Sequence, residues 1–256
     1  PVLSSAASDV YKRQRLMGNE FCIVIPARLK STRLEQKLLR QVKGKPLIQW
    51  TWENSIKSNA KKVIVVTDSK EIVDIISSLG GNVFLSKREH SSGTDRINEF
   101  VISEGFNDED IIINLQGDEP IIDIEIVNRF AEFMIEKNSN YASICKPFSS
   151  RENQDDINKV KVTLNENNEA ISFSRTIIDN ETSKNLHHIG VYGFNKLTLN
   201  RFSSLPQTKN EIKEKLEQLR AIDNGIKIDM FKIDTFDTFG IDPEEDLLKF
   251  KDFISS

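Results

Sequence analysis

Cysteine and histidine are scarce in this sequence. There are two cysteines, Cys22 and Cys145, and three histidines. Both cysteines lie inside apolar runs, and neither has neighbours at metal-ligand spacing, which excludes a cysteine-based metal site. Two reduced thiols in a hydrophobic core are the simplest interpretation, and they favour a cytoplasmic location.

Positive charge and long apolar runs are also lacking. The formal net charge is −4 and the sequence pI is near 5.6, so a globally basic surface is absent and no nucleic-acid partner is expected. No stretch approaches the roughly 20 apolar residues of a membrane-spanning helix, and no signal peptide precedes the first apolar run, so no membrane partner is expected. A composition of 38% hydrophobic and 29% charged residues predicts a globular core rather than a disordered chain.

The first 16 residues are polar and show no sustained period. Met17 follows them and precedes a polar triplet and an apolar run, as an initiator methionine before a first strand would. We therefore expect residues 1–16 to be an extraneous or disordered segment, with a native flexible arm as the alternative, and residues 17–256 to form one domain.

Short apolar runs alternate with amphipathic stretches over the first half of the chain. The runs predict strands at 21–26, 62–67, 83–85 and 111–115, and the stretches predict helices at 46–59, 71–79, 94–103 and 124–137. This alternation predicts an α/β fold with a mostly parallel central sheet and helices on both faces. Later strands at 141–146, 159–164, 170–174, 188–194 and 227–233 indicate an antiparallel extension, with helices at 211–220 and 243–253.

The segment after the first strand is strongly basic. Between Arg28 and Lys45 there are seven basic residues and one acidic residue, Glu35. Ligands of parallel sheets gather at the carboxyl ends of the strands, and clustered positive charge there suits a polyphosphate. The glycines of a Walker loop and of a dinucleotide fingerprint are both absent. A solvated basic loop is the alternative.

An acidic turn follows the third buried strand. Gln116-Gly117-Asp118-Glu119 places carboxylates at the tip of a central strand, where Mg²⁺ is held by one or two carboxylates and phosphate oxygens. The alternative is that these carboxylates are ordinary turn residues. A second acidic cluster lies at residues 242–246, and its alternative role is to interact with the positive end of a helix dipole at a helix start.

Four other positions are ambiguous on spacing alone. Asp68 follows the second strand and most simply caps the next helix. Ser92 and Gly93 precede a helix and are suited either to capping it or to contacting a base or ribose. His188 lies on a predicted strand, where a lone histidine is usually structural.

Taken together, these segments resemble the 3-deoxy-manno-octulosonate (KDO) cytidylyltransferase family. The resemblance runs in order from residue 21 to about residue 250. The segments that carry it are 26–28, 31–34, Lys37, 44–47, 67–68, 92–96, 114–120, 160–162, 173–175, 188–193, 216–220 and 242–247.

The resemblance implies a fold of the nucleotide-diphospho-sugar transferase type, usually dimeric, that uses Mg²⁺ to convert CTP and KDO into CMP-KDO and pyrophosphate for lipopolysaccharide synthesis. The catalytic residues it implies are Arg28, Arg33, Lys37 and Asp118. The nucleotide-binding residues are Ala27, Arg28, Arg33, Lys37, Ser92, Gly93, Arg96 and Gln116. The sugar-binding residues are Gln116, Arg175, His188, Tyr192, Glu217 and Gln218, and the metal ligands are Asp118 and Asp242.

The sequence departs from the family at two places. Glu35-Gln36 stands where the family usually has Pro-Gly, and a glycine there permits backbone angles that other residues avoid. Ile178 stands where a proline is usual, close to the implied sugar site. Two alternatives therefore stay open: the same chemistry on another acidic sugar, such as an 8-amino-KDO or a sialic-type acid, and a silent nucleotide-binding module.

Overall fold

The computed structural model describes residues 21–29, 34–150, 152–234, 238–239, 241 and 244–254. Its longer strands are β1 (Phe21–Ala27), β4 (Lys62–Thr67), β5 (Asn82–Leu85), β6 (Ile111–Asn114), β8 (Tyr141–Pro147), β9 (Lys161–Leu164), β10 (Ala170–Ser174), β11 (Leu186–Asn195) and β12 (Asp229–Lys232). Two-residue strands are β2 (Gln41–Val42), β3 (Lys45–Pro46), β7 (Ile121–Ile122) and β13 (Thr238–Phe239). The α-helices are α1 (Leu47–Ser55), α2 (Lys70–Ser78), α3 (Gly93–Ser103), α4 (Ile124–Lys137), α5 (Lys196–Ser204), α6 (Lys209–Glu214), α7 (Leu219–Asp223) and α8 (Glu244–Phe253).

One sheet unites the nine longer strands, in the order β10-β9-β11-β6-β1-β4-β5, with β8 paired to β11 and β12 paired to β8. β1 runs parallel to β4 and β6, and β4 runs parallel to β5. β11 runs antiparallel to β6, β8 and β9. The predicted fold class, a mostly parallel α/β sheet with an antiparallel extension, is therefore confirmed.

The sheet has a hydrophobic core on each face. Alternate residues of a strand point to opposite faces, so Ile23 and Ile25 of β1 pack in one core and Cys22 and Val24 in the other. Helices α1, α2, α4 and α8 contribute to the first core, and α3, α5 and α7 to the second. Because β1 is buried on both faces, it appears in the sequence as an unbroken apolar run.

The predicted single helix over residues 211–220 is wrong. The structure has α6 and α7 instead, separated by Lys215, whose φ of 54° is left-handed and ends α6. The break turns the chain so that Leu216 and Gln218 are buried, and tertiary packing of this kind overrides the high helix propensity of the segment.

Helix α5 was not predicted. Its apolar residues Leu199 and Phe202 are buried, but the segment carries too few of them for a visible period. Among the described residues, no helix has the length and apolar character that crossing a bilayer requires.

Candidate active site

A cavity of about 520 Å³ opens beyond the carboxyl ends of β1 and β6. Its wall combines the loops after these strands, the start of α3, part of β11 and the turn between α6 and α7. The predicted site residues that line it are Arg28, Lys37, Ser92, Gly93, Arg96, Gln116, Asp118, Arg175, Tyr192, Glu217 and Gln218. Segments far apart in the sequence thus meet at the edge where a parallel sheet binds its ligands.

The other predicted site residues lie elsewhere or are not described. Ala27 is buried at the end of β1. His188 is buried beside the cavity, its ring 5.5 Å from that of Tyr192, and does not line it. Arg33 and Asp242 lie outside the described residues.

Lys37 and Asp118 form the charged centre of the cavity. The Lys37 ammonium contacts Asp118 Oδ2 at 2.5 Å and donates to the carbonyl of Ile241 at 2.8 Å. The backbone N–H of Ile241 donates to the carbonyl of Asp118 at 3.0 Å. These bonds hold together the segments that contain Lys37, Asp118 and Ile241. Ile241 directly precedes Asp242 in the chain.

The predicted basic loop divides its charges between structure and cavity. Arg40 pairs with Glu244 at 2.8 Å, Lys45 pairs with Glu53 at 2.7 Å, and Lys43 donates to the carbonyl of Ile254. Among the loop's described basic residues, Arg28 and Lys37 line the cavity. The polyphosphate interpretation therefore rests on fewer charges than the sequence suggested.

Asp68 joins the loop after β1 to helix α3. Its carboxylate accepts from the Leu29 backbone N–H at 3.1 Å and from Arg96 Nη2 at 2.6 Å. The predicted capping role of Asp68 is wrong, because Ser69 caps α2. The Asp68 carboxylate therefore binds the loop after β1 and the buried guanidinium of Arg96, not the start of α2.

Helix α3 begins at the cavity. Ser92 is its N-cap and accepts from the backbone N–H of Asp95, so the capping alternative for Ser92 is confirmed. A side chain at position 93 would place its Cβ only 3.1 Å from the ring of Pro26, so the glycine lets the helix start pack closely against the end of β1. The N-terminus of a helix carries partial positive charge, which suits an anionic ligand in this cavity.

Glu217, Gln218 and Tyr192 form another part of the cavity wall. Burial raises the pKa of Glu217, whose Oε2 accepts from Thr94 Oγ1 at 2.7 Å. Burial also raises the pKa of Tyr192, whose hydroxyl donates to Gln218 Oε1 at 3.3 Å. The carboxyl, amide and phenol groups of this wall suit a ligand with several hydroxyl groups.

Arg175 is anchored by backbone carbonyls. Its Nε donates to Glu214 at 2.9 Å, Nη1 donates to Ile157 at 3.1 Å, and Nη2 reaches Lys215 at 3.5 Å. A guanidinium has five N–H groups, so one remains on each terminal nitrogen. Each terminal nitrogen therefore keeps a donor for an anionic ligand, such as a carboxylate.

Ser91, Gly190, Lys215 and Leu216 also line the cavity and were not predicted as site residues. Gly190 lies inside a motif that carries the resemblance, and this could have drawn attention to it. Nothing in the sequence marks Lys215, because its place in the cavity depends on the left-handed turn after α6.

The residues of the cavity fit a magnesium ion bound together with a nucleotide. Asp118 supplies one carboxylate, with about a third of its side chain exposed, beside Lys37 and Arg28. The described residues contain no group of three or more acidic, histidine or cysteine side chains suited to a metal. Such a site matches Mg²⁺, which commonly takes one or two carboxylates and completes its shell with phosphate oxygens and water.

Sequence comparison relates the chain to known cytidylyltransferases. Residues 22–228 match the cytidylyltransferase family. A 3-deoxy-manno-octulosonate cytidylyltransferase of Francisella tularensis subsp. novicida (strain U112) is 41% identical over 238 residues, covering 89% of this chain and 95% of that protein. One from Thermodesulfovibrio yellowstonii is 40% identical over 240 residues, covering 88% and 94%.

Solved structures include a similar protein. The structure of CMP:2-keto-3-deoxy-manno-octonic acid synthetase complexed with CTP has a TM-score of 0.82 and 33% identity, covering 92% of this chain and 98% of that one. A cytidylyltransferase from Leptospira borgpetersenii shares the fold, with a TM-score of 0.63 at 17% identity.

Proposed function

The chain belongs to the 3-deoxy-manno-octulosonate cytidylyltransferase family, and we propose that it transfers CMP from CTP to the anomeric hydroxyl of KDO, releasing pyrophosphate. The product, CMP-KDO, is an activated sugar for lipopolysaccharide synthesis. The observation that carries this proposal is the single cavity in which the basic residues Arg28 and Lys37 meet Asp118 and the polar wall of Tyr192, Glu217 and Gln218.

The nucleotide occupies the end of the cavity formed by the β1 loop and α3. Arg28 and Lys37 neutralise the triphosphate, and the N-terminus of α3 adds backbone donors. Ser92, Gly93 and Arg96 lie at the nucleoside. Because the Asp68 carboxylate holds Arg96 and the Leu29 backbone together, it fixes the distance between the two parts of this subsite.

The sugar acid occupies the end formed by β11 and the turn after α6. Arg175 binds the sugar carboxylate through its two remaining N–H groups, and Gln116, Tyr192 and Gln218 exchange hydrogen bonds with the hydroxyls. Holding both substrates in one cavity converts a bimolecular encounter into a positioned attack.

The reaction is an in-line displacement at the α-phosphorus. The anomeric oxygen forms a bond to the α-phosphorus and gives up its proton to solvent water, while the bond from that phosphorus to the bridging oxygen breaks and pyrophosphate departs. Arg28 and Lys37 stabilise the charge that accumulates on the leaving pyrophosphate. Phosphoryl-type transfer depends mainly on positioning and charge neutralisation, which are what these residues supply.

Magnesium is part of the proposal. Asp118 would hold the ion, with Asp242 as a second ligand. The contacts of Ile241 with Asp118 and Lys37 support this pairing. A bound Mg²⁺ would neutralise negative charge on the phosphate oxygens and lower the pKa of the attacking hydroxyl.

The assembly and setting of the enzyme are also proposals. Residues 17–256 form one domain, supported by cores that run continuously along both faces of one sheet. The resemblance supports a homodimer. The free, buried thiols of Cys22 and Cys145 support a location in the reducing cytoplasm.

Pyrophosphate release measured with purified protein tests the proposal. Release should require CTP, KDO and Mg²⁺ together, and UTP should replace CTP poorly. Faster release with an 8-amino-KDO or a sialic-type acid, and none with KDO, would move the substrate to that sugar. The change at Ile178 in the loop beyond Arg175 is the feature that motivates including these acids.

Asp118→Asn tests the chemistry in the same assay. The change removes a charge from the centre of the cavity, so kcat should fall about a hundredfold or more while the circular dichroism spectrum is retained. Asp123→Asn is the matched control, because Asp123 caps α4 outside the cavity and asparagine caps equally well. Turnover in Asp118→Asn equal to that of the wild-type protein would contradict the proposed role of Asp118. If the wild-type protein itself releases no pyrophosphate with any of the sugar acids, a silent nucleotide-binding module is favoured instead.

A further inference from the structure

Strand β11 has a bulge where it borders the cavity. Ile189 pairs with Ile144 of β8, and Tyr192 pairs with the next residue of β8, Ser143, so Gly190 and Val191 are extra residues on β11. Bulges of this kind are common beside active sites, where they redirect side chains. Here the bulge brings Gly190 and Tyr192 into the cavity wall.

Ser143 lies at the centre of this bulge and is completely buried. Its Oγ lies 2.8 Å from the carbonyl oxygen of Val191 and 2.8 Å from Nε2 of His188. A longer contact of 3.4 Å reaches the carbonyl of Ile189. A bulge interrupts the ladder of backbone hydrogen bonds between two strands. Here the Ser143 hydroxyl lies within hydrogen-bonding distance of two backbone carbonyls of the bulge, and buried carbonyls require such partners.

The single proton of the hydroxyl determines the state of His188. A carbonyl oxygen only accepts, so the short contact with Val191 requires Ser143 to donate there. His188 Nε2 must then donate to Ser143 Oγ, and in a neutral ring this leaves Nδ1 without a proton. Burial agrees with a neutral ring, since it lowers the pKa of His188 to about 3.

His188 in turn supports the cavity wall. Its ring lies 5.5 Å from the ring of Tyr192, which lines the cavity, and 5.0 Å from the ring of Phe173 in an edge-to-face arrangement. A ring fixed in one tautomer and one orientation packs against Tyr192 in one position.

We propose that Ser143 is a positioning residue for the sugar acid: its hydroxyl closes the β11 bulge and locks His188 as the Nε2–H tautomer, which together set Gly190 and Tyr192 in the sugar subsite. This inference rests on the proposed function, because it takes the β11 end of the cavity as the sugar subsite. A Cβ built on Gly190 meets no atom within 4 Å, so the bulge also leaves open space there for a ligand.

Ser143→Ala tests the proposal by comparing the two substrates. With Tyr192 displaced, kcat/KM for the sugar acid should fall about tenfold to a hundredfold, because small misplacements in a site have effects of that size. The KM for CTP should stay within about twofold of wild type, because the hydrogen bonds of the Ser143 hydroxyl go to residues of β11, at the other end of the cavity. Equal losses for both substrates would overturn the proposal.

Ser139→Ala is the matched control. Ser139 is also a buried serine, close to the start of β8, where its hydroxyl bonds Asp229 Oδ2 and the carbonyl of Tyr141. Its loss should lower the melting temperature as much as the loss of Ser143 and leave both kcat/KM values unchanged. If the two variants have the same kinetics, Ser143 has a structural role only and the proposal fails.

The tautomer is measured in the wild-type protein, so the test needs no variant at Ser143 or His188. The sequence has three histidines, and spectra of His90→Gln and His187→Gln identify the ¹⁵N signals of those two, which leaves the remaining signals to His188. His188 should show the Nε2–H tautomer at pH 7, and an Nδ1–H tautomer or a protonated ring would overturn the proposal. This measurement involves no substrate, so failure of the KDO assay would count against the function and not against the tautomer.

Discussion

At the scale of single residues, Gln36 stands out in the loop after β1. Glu35-Gln36 stands where the family usually has Pro-Gly, and a glycine permits backbone angles that other residues avoid. The structure gives Gln36 a φ of 49° and a ψ of 37°, the left-handed conformation that glycine adopts readily. This conformation costs about 1–2 kcal/mol for a residue with a Cβ.

Gln36→Gly should stabilise the protein. The change removes the left-handed penalty but adds backbone freedom to the unfolded chain, for a net gain of about 0.5–1 kcal/mol in the free energy of unfolding. Urea denaturation of the two proteins measures this difference. Lower stability in Gln36→Gly would contradict the left-handed turn.

Asn168→Gly is the control for that comparison. Asn168 has a φ of 57° in the turn between β9 and β10, away from the cavity. Asparagine tolerates this conformation better than glutamine, so relief of strain should be smaller and the net change close to zero. A gain equal to that of Gln36→Gly would mean that the glycine effect is unrelated to the side chain it replaces.

The individual charges of the basic loop were beyond sequence-based prediction for a related reason. Arg40 and Lys43 find their partners in residues Glu244 and Ile254, about two hundred positions later in the chain. Charge density along the sequence indicates where a phosphate is favoured, but only the folded chain separates the residues that bind from those that pair.

At the scale of elements, periodicity succeeded where one face of a helix is continuously apolar. The predicted helix over 124–137 and strand over 62–67 coincide with α4 and β4. It failed between residues 211 and 220, where buried side chains on both sides of Lys215 imitate a single amphipathic helix. A change of backbone direction at one residue leaves the spacing of apolar residues nearly intact, so the pattern alone does not reveal it.

The pair of α6 and α7 is held by a buried ion pair. Arg220 Nη2 donates to Glu211 Oε1 at 2.6 Å and Nε donates to Oε2 at 2.9 Å, with both side chains about 5% exposed or less. The guanidinium also lies 4.8 Å from the centre of the Phe202 ring on α5. The turn that carries Leu216 to Gln218 into the cavity lies between these two partners in the sequence.

Arg220→Met should be strongly destabilising. It leaves the Glu211 carboxylate buried without its partner, which costs about 3–5 kcal/mol in the free energy of unfolding. Adding Glu211→Gln should recover part of that loss, because it removes the unpaired charge and keeps the capping box with Thr208. Urea denaturation of the single and double variants measures both changes in the free energy of unfolding. A double variant less stable than Arg220→Met would contradict the role of the unpaired Glu211 carboxylate.

At the scale of the whole molecule, the sequence predicted the parallel half of the sheet because each strand there is followed by its own helix. The place of β11 between β6 and β8 was not predictable in the same way. Antiparallel strands distant in sequence are sorted by side-chain packing across the sheet, and a single chain carries no local mark of that order. The cavity depends on this order, because β11 supplies Gly190 and Tyr192 to its wall.

Stability of the whole molecule should fall as the solution is acidified below about pH 6.5. Burial lowers the pKa of His187 to about 4 and that of His188 to about 3, even though the Glu152 carboxylate lies 3.2 Å from His187. Both rings stay neutral in the folded protein while the unfolded chain takes up protons. The unfolded state therefore binds more protons between about pH 6.5 and 4, and the free energy of unfolding declines by up to about 1.4 kcal/mol per pH unit for each ring.

The variant His187→Gln separates this effect from other titrations. Between pH 7 and pH 5 the wild-type protein should lose about 2 kcal/mol more stability than the variant, because His187 no longer contributes its share of the proton uptake on unfolding. Groups that do not interact with His187, including the His90–Glu99 pair, are common to the two proteins and cancel in the difference. Urea denaturation at pH 8, 7 and 5 measures it: the two proteins should run parallel from pH 8 to 7 and diverge below. Parallel curves down to pH 5 would mean that His187 takes a proton in the folded state as readily as in the unfolded chain.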